Sequence, residues 1–277
     1  LKSRVVIKTV QIPKGDNPCQ WYKENAMSSR KRTALAMLHL AAVMLFTAPA
    51  LAADAPVIDP RADKILKATA DYLKNAKEFV FHAEITIDDI LPSGPMIQYS
   101  GTLRAGVKRP NKVRSLFSGD LRNSDSWYDG KTFTRLNKNL NVYSKWPAPS
   151  DLDSTMDKLQ EALGVSLPLS SLYYSDPYKH WMGGALVVIY AGEHFVNGQP
   201  THHIIMVQDD VDAQVWIHEG KQLVIRKVVL TYKTVPGNPQ FTALFSDWDF
   251  SPRLSDLLFS FSPPAGASKI EILPVSK

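Results

Sequence analysis

The 277-residue chain is 44% hydrophobic and 21% charged, a globular rather than a disordered composition, with 32 Lys and Arg against 27 Asp and Glu. Eight of those cations and two of those anions precede Asp54, so the remainder carries 24 against 25. That balance excludes a basic footprint for nucleic acid or an anionic membrane surface, and the single cysteine, Cys19, excludes disulfides and thiol chemistry from everything after it.

Met27 opens an export signal, with Ser28-Ser29-Arg30-Lys31-Arg32 as its basic head, Thr33 to Phe46 as its apolar stretch and Ala48-Pro49-Ala50-Leu51-Ala52-Ala53 as its small-residue cleavage region. Cleavage is expected at or close to Ala52, which leaves one half-barrel domain over 53–277. Residues 1–26 read as sequence upstream of a mis-called start, a two-part targeting segment being the alternative. The apolar stretch is short for a permanent span, and no later run approaches about 18 to 20 consecutive apolar residues. The expected product is a soluble periplasmic protein that does not span the membrane.

Asp59-Pro60 supplies an N-cap and a proline at the first helical position, and Ala62, Ile65, Leu66, Thr69, Tyr72, Leu73 and Ala76 recur at spacings of three and four. These residues predict an amphipathic helix that must cover something. From Phe79 the period changes to two, with Phe79, Phe81, Ala83, Ile85 and Ile87 on one face of a strand. Further strand-like runs cover 97–107, 111–118, 131–136, 140–146, 185–195, 201–208, 213–218, 222–233 and 240–250. Asp129-Gly130, Asn197-Gly198 and Glu219-Gly220 fall between such runs, the first two as two-residue hairpin signals, so a long antiparallel meander is expected. Between Ser150 and Met182 it is interrupted: Leu152, Met156, Leu159 and Leu163 share a helical face, with Ser150 as the N-cap and Gly164 as the stop, and Pro168 and Pro177 divide the rest. The fold class is mainly β with covering helices (α+β), an antiparallel incomplete barrel.

Catalytic signatures are missing: there is no G-x-S-x-G elbow and no S-x-x-K, and Gly183-Gly184 lies in no nucleotide fingerprint. No cofactor and no enzymatic activity are expected. Five histidines, His180, His194, His202, His203 and His218, cluster within about forty residues, and a metal would need three or four ligands converging on a point. His194, His203 and His218 form the set to consider. Adjacent strand residues point to opposite faces, which separates His202 from His203 and favours hydrogen-bonded histidines over a metal site. Asp209-Asp210 with Asp212 lacks the glycine and terminal glutamate of a calcium loop and reads as a turn. The aromatic residues, including Trp127, Trp146, Trp181, Trp216 and Trp248, fit core packing, while a curved sheet closed by a helix and an apolar insertion tends to enclose a pocket.

In order along the chain stand Ile58-Asp59-Pro60, Phe79, Arg109-Pro110, Tyr128-Asp129-Gly130, Leu167-Pro168-Leu169, His202-His203, Trp216-Ile217 and Phe245-Ser246-Asp247-Trp248. With these residues the chain resembles a bacterial family of predicted periplasmic proteins of unknown function, whose fold is expected to be like the lipoprotein carriers LolA and LolB. The resemblance implies an incomplete barrel whose apolar concave face, covered by helices, shelters acyl chains in the carriers; none of the carriers' functional residues can be placed here.

Three functions are then open. The first is a binding or carrier protein for a lipid, a lipoprotein acyl chain or another amphiphile, with Phe81, Ile85, Trp127, Trp181, Trp216 and Phe245 as the apolar lining. The second is an envelope sensor or assembly factor that recognises a protein partner, and the third a metal-dependent enzyme on the histidine-rich strands.

Overall fold

A computed structural model describes residues 55–163 and 167–271; the upstream residues, the export signal with its cleavage region, and the expected helix stop Gly164 lie outside these. The elements run β1 (Val57–Ile58), α1 (Pro60–Asn75), β2 (Glu78–Ile90), β3 (Met96–Lys108), β4 (Lys112–Gly119), β5 (Asn123–Tyr128), β6 (Thr132–Asn137) and β7 (Val142–Pro147). They continue as α2 (Leu152–Leu163), a 3-10 turn (Ser170–Leu172), α3 (Pro177–Met182), β8 (Val187–Val196), β9 (Gln199–Val207), β10 (Val211–His218), β11 (Ile225–Tyr232), β12 (Gln240–Asp249), a second 3-10 turn (Asp256–Phe259) and β13 (Ser268–Lys269).

All these strands join one curled, open sheet in the order β1-β8-β9-β10-β11-β12-β2-β3-β4-β5-β6-β7-β13. Every pairing from β8 through to β7 is antiparallel, as a meander requires, and the N- and C-terminal parts meet where β12 pairs with β2. This order puts β7 and β8, neighbours in the chain, near opposite edges of the sheet. The insertion between them must therefore cross the concave side from edge to edge.

Local chemistry makes the pieces. The Asp59 carboxylate accepts hydrogen bonds from the backbone N–H of Arg61 (2.7 Å) and Ala62 (3.1 Å), Pro60 follows it, and α1 buries Ala62, Leu66, Thr69, Ala70 and Leu73 against the β8–β12 half. The Asn197-Gly198 turn has both residues at positive φ, 49° and 74°, the twist a two-residue hairpin needs. At the end of β12 the ladder with β2 slips between Ser246 and Asp249, with Asp247 at φ 52°. This bulge turns Trp248 inward, where its ring stacks on Phe250, packs at a tilt on Phe81, and its indole N–H donates to the Ile225 carbonyl (2.9 Å).

Two expectations are corrected. The cap of α2 is Asp151 rather than Ser150: its carboxylate accepts the Ser154 N–H at 2.8 Å, the register an N-cap demands. β5 was not foreseen, because Asn123-Ser124-Asp125-Ser126 has none of the apolar alternation that marks a strand.

Beyond β12 the chain returns along the convex face of β2–β7 as a strap. Glu78 accepts the Leu254 N–H (2.7 Å), Asp256 pairs with Lys108 and Lys112 (2.9 Å each), Phe259 is buried, and Phe261 packs on Trp127 and Tyr143. No helix among the described residues is long and apolar enough to cross a membrane.

Candidate functional site

Three side chains are prominent among the ties that fasten the insertion. Tyr128, fully buried in β5, donates its hydroxyl to the Pro149 carbonyl (2.6 Å) at the insertion's start. Arg109, at the β3–β4 turn, reaches the Tyr173 carbonyl (2.9 Å) and, more weakly, the Leu73 carbonyl at the end of α1 (3.5 Å). Tyr178 in α3 donates to Asp63 in α1. Burial raises the pKa values of Tyr128 and Tyr178, which keeps the two phenols in these ties neutral and able to donate.

Under this cover lies a cavity of about 620 Å³, within the range of sites that hold small molecules. Its wall follows the strand register in rows: Leu103, Phe117 and Ser124 are cross-strand neighbours, as are Ser115, Ser126 and Arg135. Ile85 and Ile87 of β2 and Phe241 of β12 continue the apolar surface. Met156 and Leu159 of α2, with Leu167, Pro168, Leu169 and Tyr173, form the roof. The charged lining residues are Arg122 and Arg135. Arg122 lies over the Phe117 ring, 4.9 Å from its centroid, and its Nε is buried without a hydrogen-bond partner.

A second cavity of about 300 Å³ sits under α1 and α3, lined by Leu66, Trp181, Val215, Val228 and Phe245 among others. Pro168 and Leu169 border both spaces. They form the partition between them.

Of the residues chosen from sequence, Ile85 lines the first cavity, and Trp181 and Phe245 the second. Phe81 lines neither, being packed between Phe245 and Trp248 at ring distances of 5.5 and 4.9 Å. Trp127 and Trp216 point to the convex side because the pleat that turns Ser126 and Val215 inward turns their neighbours outward. Trp127 meets Arg114 (3.8 Å) and Phe261 (4.8 Å), and Trp216 stacks on His203 at 4.1 Å, so neither is proposed as lining. Sequence reasoning did not select Phe117, Ser115, Ser126, Arg122 or Arg135. The parity of Val113, Ser115 and Phe117 was a usable signal for β4, whereas Ser126 depended on the unforeseen β5.

Among the histidines, His202 faces away from His203 and meets the Tyr190 hydroxyl (3.2 Å). His203 pairs with Gln214 (3.1 Å) and lies 4.9 Å from the His194 ring, and desolvation lowers its pKa, which keeps it neutral. His194, His203 and His218 are on convex-face positions, but no group of three His, Cys, Asp or Glu among the described residues is placed to hold a metal. At the Asp209-Asp210 turn, Asp212 pairs with Lys233 (2.8 Å).

A family model described as "Predicted periplasmic protein (DUF2092)" matches residues 62–273. No curated protein matches the chain. Among solved structures, an uncharacterized conserved protein from Thermus thermophilus is 9% identical, with 76% of this chain and 98% of that one covered at a TM-score of 0.43. A LolA superfamily protein from Nitrosomonas europaea is 8% identical, with 72% and 97% covered at 0.35, and the Mycobacterium tuberculosis lipoprotein LppX is 12% identical, with 69% and 96% covered at 0.36. The assignment to a family rests on the sequence model, which spans most of the chain.

Proposed function

The chain belongs to the DUF2092 family of predicted periplasmic proteins, and from that we propose that it is a non-enzymatic binding or carrier protein for a lipid, a lipoprotein acyl chain or another amphiphile. The observation that carries this reading is the apolar cavity of about 620 Å³ between the half-barrel and its insertion. An acyl chain entering it would gain roughly 0.8 kcal/mol for each methylene removed from water, so a modest length of chain supports micromolar binding. The ties made by Tyr128 and Arg109 hold the roof over the cavity, which is the arrangement a pre-formed site needs.

The test is native mass spectrometry with lipid extraction on protein recovered from the periplasm after export of the full chain. A stoichiometric lipid or acyl species supports the reading and names the ligand class. Apo protein that also fails to take up a neutral fluorescent apolar dye defeats it.

A second reading, recognition of a protein partner, is favoured by one feature of the sheet. β1 covers only Val187 and Val188 of β8; beyond them that edge of β8 has no partner strand among the described residues, and Ile189 and Phe195 are exposed beside it, Phe195 at 75%. An open edge with exposed apolar side chains suits addition of a partner's strand. Cross-linking from a photoreactive residue at position 195 in the periplasm would capture that partner, and a clean result would remove the reading.

A further inference from the structure

We infer that the cavity selects an amphiphile with an anionic head, a carboxylate or a phosphate, with Arg122 as the group that receives it. The inference rests on the binding reading above and deepens it by assigning the chemistry of the ligand's polar end. Among the described residues, the cavity's charged lining is cationic, Arg122 and Arg135, and no Asp or Glu borders the space. Arg135 is engaged within the protein and contributes positive charge to the wall. Arg122 has its guanidinium carbon 4.9 Å from the Phe117 ring centroid, beside the apolar surface, and its Nε is buried without a hydrogen-bond partner.

The guanidinium is planar, and its fork of N–H donors matches two oxygens of a carboxylate or phosphate, while the contact with Phe117 sets it beside apolar surface. Ser115, Ser124 and Ser126 lie on the same wall and can donate to the remaining oxygens. The tail would then run over Phe117 and Leu103 toward the insertion's Met156 and Leu159. A cationic head placed here would meet like charge, and a neutral one could accept a hydrogen bond from the guanidinium but without the charge assistance an anion brings.

The experiment measures displacement of a neutral naphthylamine dye from the full exported protein at pH 8 by four ligands with the same twelve-carbon tail: dodecanoate, dodecyl phosphate, dodecanol and dodecyltrimethylammonium. The expected result is that at least one anion displaces the dye about tenfold or more better than dodecanol, as a charge-assisted hydrogen bond implies, with the ammonium weakest. The two anions distinguish a carboxylate site from a phosphate site. In Arg122→Gln the ratio of anion to dodecanol displacement should fall to near one, and Arg122→Lys should recover part of the preference. Equal displacement by the anions and the alcohol overturns the headgroup inference but leaves the binding reading standing. Failure of the dye and all four ligands to bind defeats the binding reading itself. If Arg122→Gln does not fold, the comparison among ligands on the native protein still decides.

Discussion

The two halves of the sheet use one architecture to opposite ends. Over β8–β12, α1 and α3 press Leu66, Leu73 and Trp181 onto the concave face and leave about 300 Å³ of space, while the convex face is open and carries the His203–Trp216 stack. Over β2–β7, the cover is α2 and the looped segment after it, the space is about 620 Å³, and the strap shields the convex side instead. The difference teaches where the fold keeps its stability. The sixteen-residue α1 lays a long apolar stripe on one half, whereas on the other the shorter α2 gives way to a looped segment broken at Pro168 that bridges rather than fills. The hollow half keeps its shape through fastening points and a braced back, which leaves its interior available.

The comparison can be broken most directly with two truncations. Leu73→Ala, in the filled half and 1% exposed, should cost about 3 kcal/mol, whereas Phe117→Ala, at the wall of the larger cavity, should cost about 1 kcal/mol. Urea unfolding midpoints decide it; equal losses would mean that both halves are packed alike. Enlargements should show the reverse asymmetry. Ala243→Leu, at a fully buried position in β12, should destabilise by about 1–3 kcal/mol through overpacking, while Ser126→Leu should leave stability nearly unchanged and abolish dye uptake.

Smaller effects sharpen the contrast between the convex faces. His203 has its pKa lowered by desolvation, so the unfolded chain takes up its proton first. The native state should therefore lose stability as the pH falls through about 6.5 and gain nothing above it, and thermal melts of His203→Gln should show a flatter profile. Asp256 in the strap is held down to about 2 by its hydrogen bonds with Lys112 and Lys108. Its contribution is present above the ordinary carboxylate range and lost as the pH falls from about 4 toward 2. Because these pairs face water, Asp256→Asn should give the smallest change in the series, and it should shrink further in high salt.

Much of the fold was legible in local pattern. The Asp59 cap and the three-and-four spacing after it specify α1, the alternation from Phe79 specifies β2, and Asn197-Gly198 specifies a hairpin, since each signal is complete within a few consecutive residues. The apolar character of the insertion was equally plain in Leu152, Met156 and Leu159. The site was far less legible. Period two separates the faces of a strand but does not say which face is concave, so Trp127 and Trp216 could be sorted from Ser126 and Val215 only once the strand order was known. β5 escaped because its inward residues are serines, whose place on the wall of a partly polar cavity asks for no apolar alternation. The roles of Tyr128 and Arg109 likewise depend on where carbonyls distant in the chain come to lie. The amino-acid sequence by itself determined the elements, their turns and the presence of an interrupted apolar insertion. Only the tertiary structure decided that this insertion spans the sheet from edge to edge, that one half is filled and the other hollow, and that Arg122 stands at the hollow, because these depend on strand order and long-range register rather than on any local period.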